Sequence, residues 1–163
     1  MQKLIDDIKN RVAAVTALKY IDEDWGQLDY YGSGAPVKYP CLLVDLDQAG
    51  WDTEGDRTQR GIIRISIRIA DMRLAGTNYK APQSQKTKAG SFFDVMNAVH
   101  ANLQGWSYDA DNGPLTRVLT RKIKRDDGIR EMEMIYQVQY MDDSAQPVRS
   151  KKRVGVRVVT ELV

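Results

Sequence analysis

Between residues 57 and 73 isoleucine alternates with polar side chains. Ile63, Ile65, Ile67 and Ile69 fall on one set of positions, and Arg64, Ser66 and Arg68 on the other. A period of two held over this length predicts a long β-strand with one apolar face and one cationic face turned to water. A second run, 129–141, repeats the pattern: Met132, Met134, Tyr136, Val138 and Tyr140 lie on one side, Glu131, Glu133, Gln137 and Gln139 on the other. Strands this long, with charged outer faces and no catalytic signature beside them, suit a sheet that holds shape or meets neighbours.

The layer that covers such a sheet is legible as two amphipathic helices. Leu4, Ile5, Ile8, Val12, Val15 and Leu18 recur at spacings of three and four, with Lys3, Asp6, Lys9 and Asn10 on the polar side. Asp6 and Asp7 come early, where they suit the positive end of the helix dipole. A second helix is expected over 87–104, with Ala89, Phe92, Phe93, Met96, Val99 and Leu103 as its buried stripe and Gly105 as its stop.

Between these elements, Tyr20-Ile21 begins a short strand and Gly32-Ser33-Gly34-Ala35-Pro36 reads as a loop. Leu42, Leu43, Val44 and Leu46 make 41–47 a strand, 50–55 reads as a polar turn, and 75–88 as a surface loop. Residues 115–125 and 129–141 form two strands joined at Asp126-Asp127-Gly128, a strong hairpin signal. The expected class is α+β: an antiparallel-rich sheet with two helices packed on it, in the order α-β-β-(β)-α-β-β, plus a C-terminal strand. Residues 1–142 make a single domain. Residues 143–163 make a C-terminal extension or added strand, in which Lys151, Lys152 and Arg153 precede the alternating Val154, Val156 and Val158.

Composition narrows the function. A chain of 163 residues buries about 70% of its unfolded surface, enough for a core without metals or disulfides. The one cysteine, Cys41, excludes an internal disulfide framework. Lys3, Asp6, Asp7, Lys9 and Arg11 interrupt the region a signal peptide needs apolar. No run approaches the roughly 20 apolar residues that cross a bilayer. Cytoplasmic synthesis is expected, with no membrane partner. A net charge of +2 is too small to argue for nucleic acid by itself.

The residues that could carry chemistry are few. His100 is the single histidine, at the margin of the second helix's stripe, and reads as a boundary or core residue. Cys41 would need a base brought near by the fold, and beside Pro40 and Leu42 it reads as a small buried apolar residue. Asp45 and Asp47, two apart on a strand, would face the same way. They lack calcium-loop spacing, and Asp52, Glu54 and Asp56 continue them as solvated acids. Gly32-Ser33-Gly34 has no following lysine to make a phosphate loop. No catalytic, cofactor or metal site is expected. The candidate interaction surface is Arg60, Arg64, Arg68, Glu131 and Glu133, with Lys151, Lys152 and Arg153.

The order of elements carries a resemblance. An N-terminal amphipathic helix leads to Tyr39-Pro40-Cys41-Leu42-Leu43-Val44 and then to the long strand over 62–70. A helix over 92–103 and a hairpin ending in Tyr136-Gln137-Val138-Gln139-Tyr140 complete it. In this order residues 1–142 resemble the tail terminator (tail completion) proteins of long-tailed bacteriophages and prophages. The resemblance implies a small structural α+β protein without catalytic residues. It also implies a ring, commonly of six subunits, that caps the head-proximal end of the tail tube and helps join tail to head. Its partners would be other copies of itself, the tail-tube protein and head-completion proteins, and its final location the virion tail. A phage neck or head–tail connector protein is the neighbouring alternative. A nucleic-acid-binding module, resting on the arginine strand and the Lys151-Lys152-Arg153 run, is the alternative of a different class.

Overall fold

A computed structural model describes residues 1–29 and 36–146. The Gly32-Ser33-Gly34 loop, the cations Lys151, Lys152 and Arg153, and the alternating valines after them lie outside the described residues.

The chain folds as α1 (Gln2–Val12), β1 (Tyr20–Glu23), β2 (Cys41–Gly55), β3 (Thr58–Met72), α2 (Gln83–Leu103), β4 (Thr116–Ile123) and β5 (Ile129–Asp142). The five strands make one mixed sheet in the order β1-β2-β3-β5-β4. β1 runs parallel to β2, and every other pairing is antiparallel. The α+β class, the two helices and the central isoleucine strand match the expectation.

The register explains the core. β3 pairs Ile63, Ile65, Ile67 and Ile69 with Val138, Tyr136, Met134 and Met132 of β5. On its other side Ile69 and Ile67 meet Leu42 and Val44 of β2. Period two places all of these on one face. α1 covers that face with Leu4, Ile5, Ile8 and Val12, and α2 with Phe92, Val95, Met96, Val99 and Leu103. Burial of this order, about 1.5–3 kcal/mol for each large apolar side chain, is the main force holding helix layer to sheet. A smaller cluster of Leu28, Cys41, Leu43 and Ala70, with Tyr39 packed against it, lies on the opposite face near β1.

Several expectations are corrected. Residues 50–55 are not a turn but the far half of β2, paired with β3 as far as Gly55 opposite Thr58. The polar composition there reflects exposure, since nearly all residues after Val44 on β2 are open to water. α1 ends at Val12 and not near Leu18, although Val15 is still buried. Asp6 and Asp7 fall outside its first turn. α2 begins at Gln83, four residues before the expected start, so the surface loop is shorter. Phe93 is 52% exposed and Val95 takes its place in the stripe. Consecutive phenylalanines sit about 100° apart on a helix, and the core selects Phe92.

Candidate functional site

The polar face of β3 and β5 is divided along its length. At one end Arg64 is open to water. At the other, Ser66, Glu131 and Glu133 are buried and Arg68 is largely covered. The expected wet, mixed-charge surface therefore holds for Arg60 and Arg64 but not for Arg68, Glu131 and Glu133. The segment between β1 and β2, with Leu28 and Tyr39, closes over that end.

What lies beneath is a paired network. Arg68 donates through Nε to Glu131 Oε1 at 2.6 Å and through Nη1 to Asp24 Oδ2 at 2.6 Å. Arg125 donates to the other oxygen of Glu131 at 2.7 Å and to Asp127 at 2.6 Å. Glu133 accepts from Ser66 Oγ at 2.7 Å and from Arg121. A carboxylate without exposure, as Glu131 is, stands only when both oxygens are satisfied by cations or donors. Burial alone would lower the Arg68 pKa, but the hydrogen bonds and charges of Glu131 and Asp24 outweigh it and raise it above its ordinary value. These groups tie β3, β5, the segment after β4 and the segment after β1 to one another. Asp24 carries no signal in the sequence, and Arg125 reads there only as the last cation of the strand 115–125; only the fold brings Asp24 to Arg68 and Arg125 to Glu131.

The residues considered for chemistry are kept apart. Burial pushes the Cys41 thiol up to about 12, so at neutral pH it is not the thiolate that nucleophilic attack requires. His100 Nδ1 lies 2.9 Å from the Tyr136 hydroxyl. Burial, and secondarily Arg117, lowers the His100 pKa from its ordinary value. Burial raises Tyr136 to about 12, which leaves the pair neutral and hydrogen-bonded. Asp45 and Asp47 do not share the simple two-residue repeat. A β-bulge between Leu46 and Gln48 leaves Asp47 without a counterpart on β3. Among the described residues no group of three or more His, Cys, Asp or Glu side chains is placed to hold a metal ion. No helix among them is long and apolar enough to cross a membrane.

The surfaces that remain are the edges and ends of the sheet. β1 pairs with β2 only from Cys41 to Val44, so among the described residues the outer edge of β2 is unpaired over 45–55. β4 is the other outer strand, paired only with β5. All but its last residue are exposed, including Val118 and Leu119 at 48% and 43%. At the end of the sheet nearest Met72, the apolar residues Met72, Leu74 and Phe93 are also exposed. There the Arg130 guanidinium lies over both Phe92 and Phe93, at 5.2 and 5.8 Å from the ring centres. In the sequence 115–125 reads as one strand of a hairpin whose cations could line a basic or subunit-facing surface; the exposure of Val118 and Leu119 on it is seen only in the fold. Its cations fall on both faces: the β-bulge at Val118 puts Arg117, opposite Tyr136, on the same face as Lys122, opposite Met132, and Arg121, opposite Glu133, on the other.

Comparison with known proteins adds little at the level of family. No protein-family model and no curated protein matches the chain. Among solved structures, the chain is similar to one from the virion of a native gene transfer agent (GTA) particle. The identity is 12%, the match covers 80% of this chain and 84% of that one, and the TM-score is 0.48. At that similarity no function passes from one protein to the other.

Proposed function

We propose that this chain is a structural protein of a phage or phage-like particle, and more specifically a tail terminator that assembles as a ring on the end of the tail tube. The observation that carries the reading is that, among the described residues, the sheet has an open edge on each side of a well-packed α+β body. An unpaired edge with exposed apolar residues is a template for another chain. On β4 Val118 and Leu119 supply that apolar surface, and one unpaired edge on each side suits a repeating head-to-tail contact, which closes into a ring when the rotation per step allows. The element order over residues 1–142, which resembles tail terminators, supports the same reading.

The reading includes no catalysis. A thiol held protonated and a lone histidine bonded to a tyrosine leave, among the described residues, no activated cysteine or histidine with a base beside it. It also sets nucleic acid aside as the main partner, because the arginine strand is divided. Arg68 is committed to Glu131 and Asp24, and Arg60 to Glu54 at 3.0 Å.

The test is to add the purified chain to polymerising tail-tube protein and follow tube ends and lengths by electron microscopy. A cap on one end and an arrest of growth are expected. A chain that stays monomeric and never meets a tube end overturns the reading. Binding to head-completion proteins with no effect on tubes would replace the terminator role by that of a neck connector.

A further inference from the structure

We propose that the outer edge of β2 over 45–55 pairs with the outer edge of β4 of a second copy of this chain, joining an acidic edge to a basic one and continuing the sheet from subunit to subunit. This deepens the self-associating reading above and rests on it.

The two edges are complementary in charge once internal ion pairs are set aside. On the β2 side Glu54 is bound to Arg60 at 3.0 Å, while Asp45, Asp47 and Asp52 have no ion pair among the described residues. On the β4 side Arg121 is bound to Glu133, while Arg117, Lys122 and the following Lys124 have none among them. A cavity of about 440 Å³ lined in part by Arg73, Lys122, Lys124 and Arg130 carries the positive charge beyond the end of β4. Each open edge spans at least eight residues, the full length of β4. Every second residue on such an edge turns its N–H and C=O away from the strand it already pairs with.

Charge also decides which pairing forms. Two β2 edges brought together would oppose acid to acid, and two β4 edges base to base, each unfavourable across a strand pair. Only β2 against β4 joins opposite signs, and that contact is heterologous, as a ring requires. Lysines on an edge strand commonly serve to keep other chains away. Here Val118 and Leu119 stand exposed on the same strand, which gives a partner of the right charge apolar surface to bury.

The experiment uses charge reversal on exposed positions of the full chain. One variant carries Asp47→Lys and Asp52→Lys, the other Lys122→Glu and Lys124→Glu. Circular dichroism confirms that each folds, and sedimentation velocity reads association. Each variant alone presents like charges at both of its edges and should associate about tenfold or more weakly than wild type. An equal mixture restores opposite charges at every junction, alternating the two chains, and should recover assembly. Unchanged association in either variant, or loss in both without recovery on mixing, overturns the proposal. So does oligonucleotide binding that is lost in the Lys122→Glu, Lys124→Glu variant while its association is intact. Capping of tube ends by both reversed variants as well as by wild type would sink the edge pairing and leave the tail reading standing. Edge-dependent rings that never engage a tube end would do the reverse.

Discussion

Glu131 has no exposure and shares its two oxygens between Arg68 and Arg125. Replacing it with an amide removes the charge and turns one of its two acceptor oxygens into an NH2 donor that faces a guanidinium in a covered site. Glu131→Gln should therefore cost about 3–5 kcal/mol in urea unfolding. Arg64→Gln, two positions before Ser66 on the open half of the same face, should stay within about 0.5 kcal/mol. Equal effects would mean the two halves of the face are not divided as described. His100 offers a cleaner case because it is the single histidine. Its folded pKa is lowered below 6.5, so below that value the unfolded chain takes up this proton first. Its contribution is fully present above pH 6.5 and is lost as pH falls toward the folded pKa. In His100→Gln this part of the acid destabilisation should vanish. Wild-type and variant stability curves that run parallel through that window would refute the assignment.

The elements show which parts of such a chain a period can announce. The isoleucines of β3 and the alternating residues of β5 were legible because one face of each strand stays apolar and buried over many residues, whatever happens on the other. The same rule failed on 50–55, where Asp52, Thr53 and Glu54 between two glycines read as a turn. Continued pairing of β2 with β3 depends on backbone bonds that side chains do not reveal. Phe93 failed for another reason, since the stripe had room for one ring of two. Phe92→Ala should cost about 3–5 kcal/mol, whereas Phe93→Ala should cost under about 1 kcal/mol. A reversed order in thermal unfolding would show that the helix is rotated about its axis. Gly61 makes a further point about close approach. It lies opposite both Trp51 and Tyr140, whose rings meet edge-on at 6.2 Å. A Cβ there would come within 2.6 Å of the Trp51 ring and 2.8 Å of the Gly50 carbonyl oxygen. Gly61→Ala should therefore displace the indole, shift tryptophan fluorescence and cost about 1–3 kcal/mol. An unchanged spectrum and stability would place Trp51 elsewhere.

At the scale of the whole molecule, the α+β class could be read from the sequence while the division of its surface could not. The charged face of β3 and β5 looked uniform because Arg, Ser and Glu alternate along it. The segment that covers half of it, with Asp24, Leu28 and Tyr39, has no periodic signal. The proposed pairing of the edges makes association answer to salt in a definite direction. Contacts driven mainly by apolar burial hold or strengthen as salt rises. Contacts led by Asp45, Asp47 and Asp52 against Arg117, Lys122 and Lys124 weaken, because screening shortens from about 30 Å at 0.01 M to about 3 Å at 1 M. Sedimentation of the wild-type chain should therefore show its largest species at low salt and dissociation toward the monomer near 1 M. The Asp47→Lys, Asp52→Lys variant should respond in the opposite direction, since salt relieves the like-charge repulsion it introduces. If wild type and variant both assemble more strongly as salt rises, apolar surface such as Met72, Leu74 and Phe93 governs the contact, and the paired edges do not.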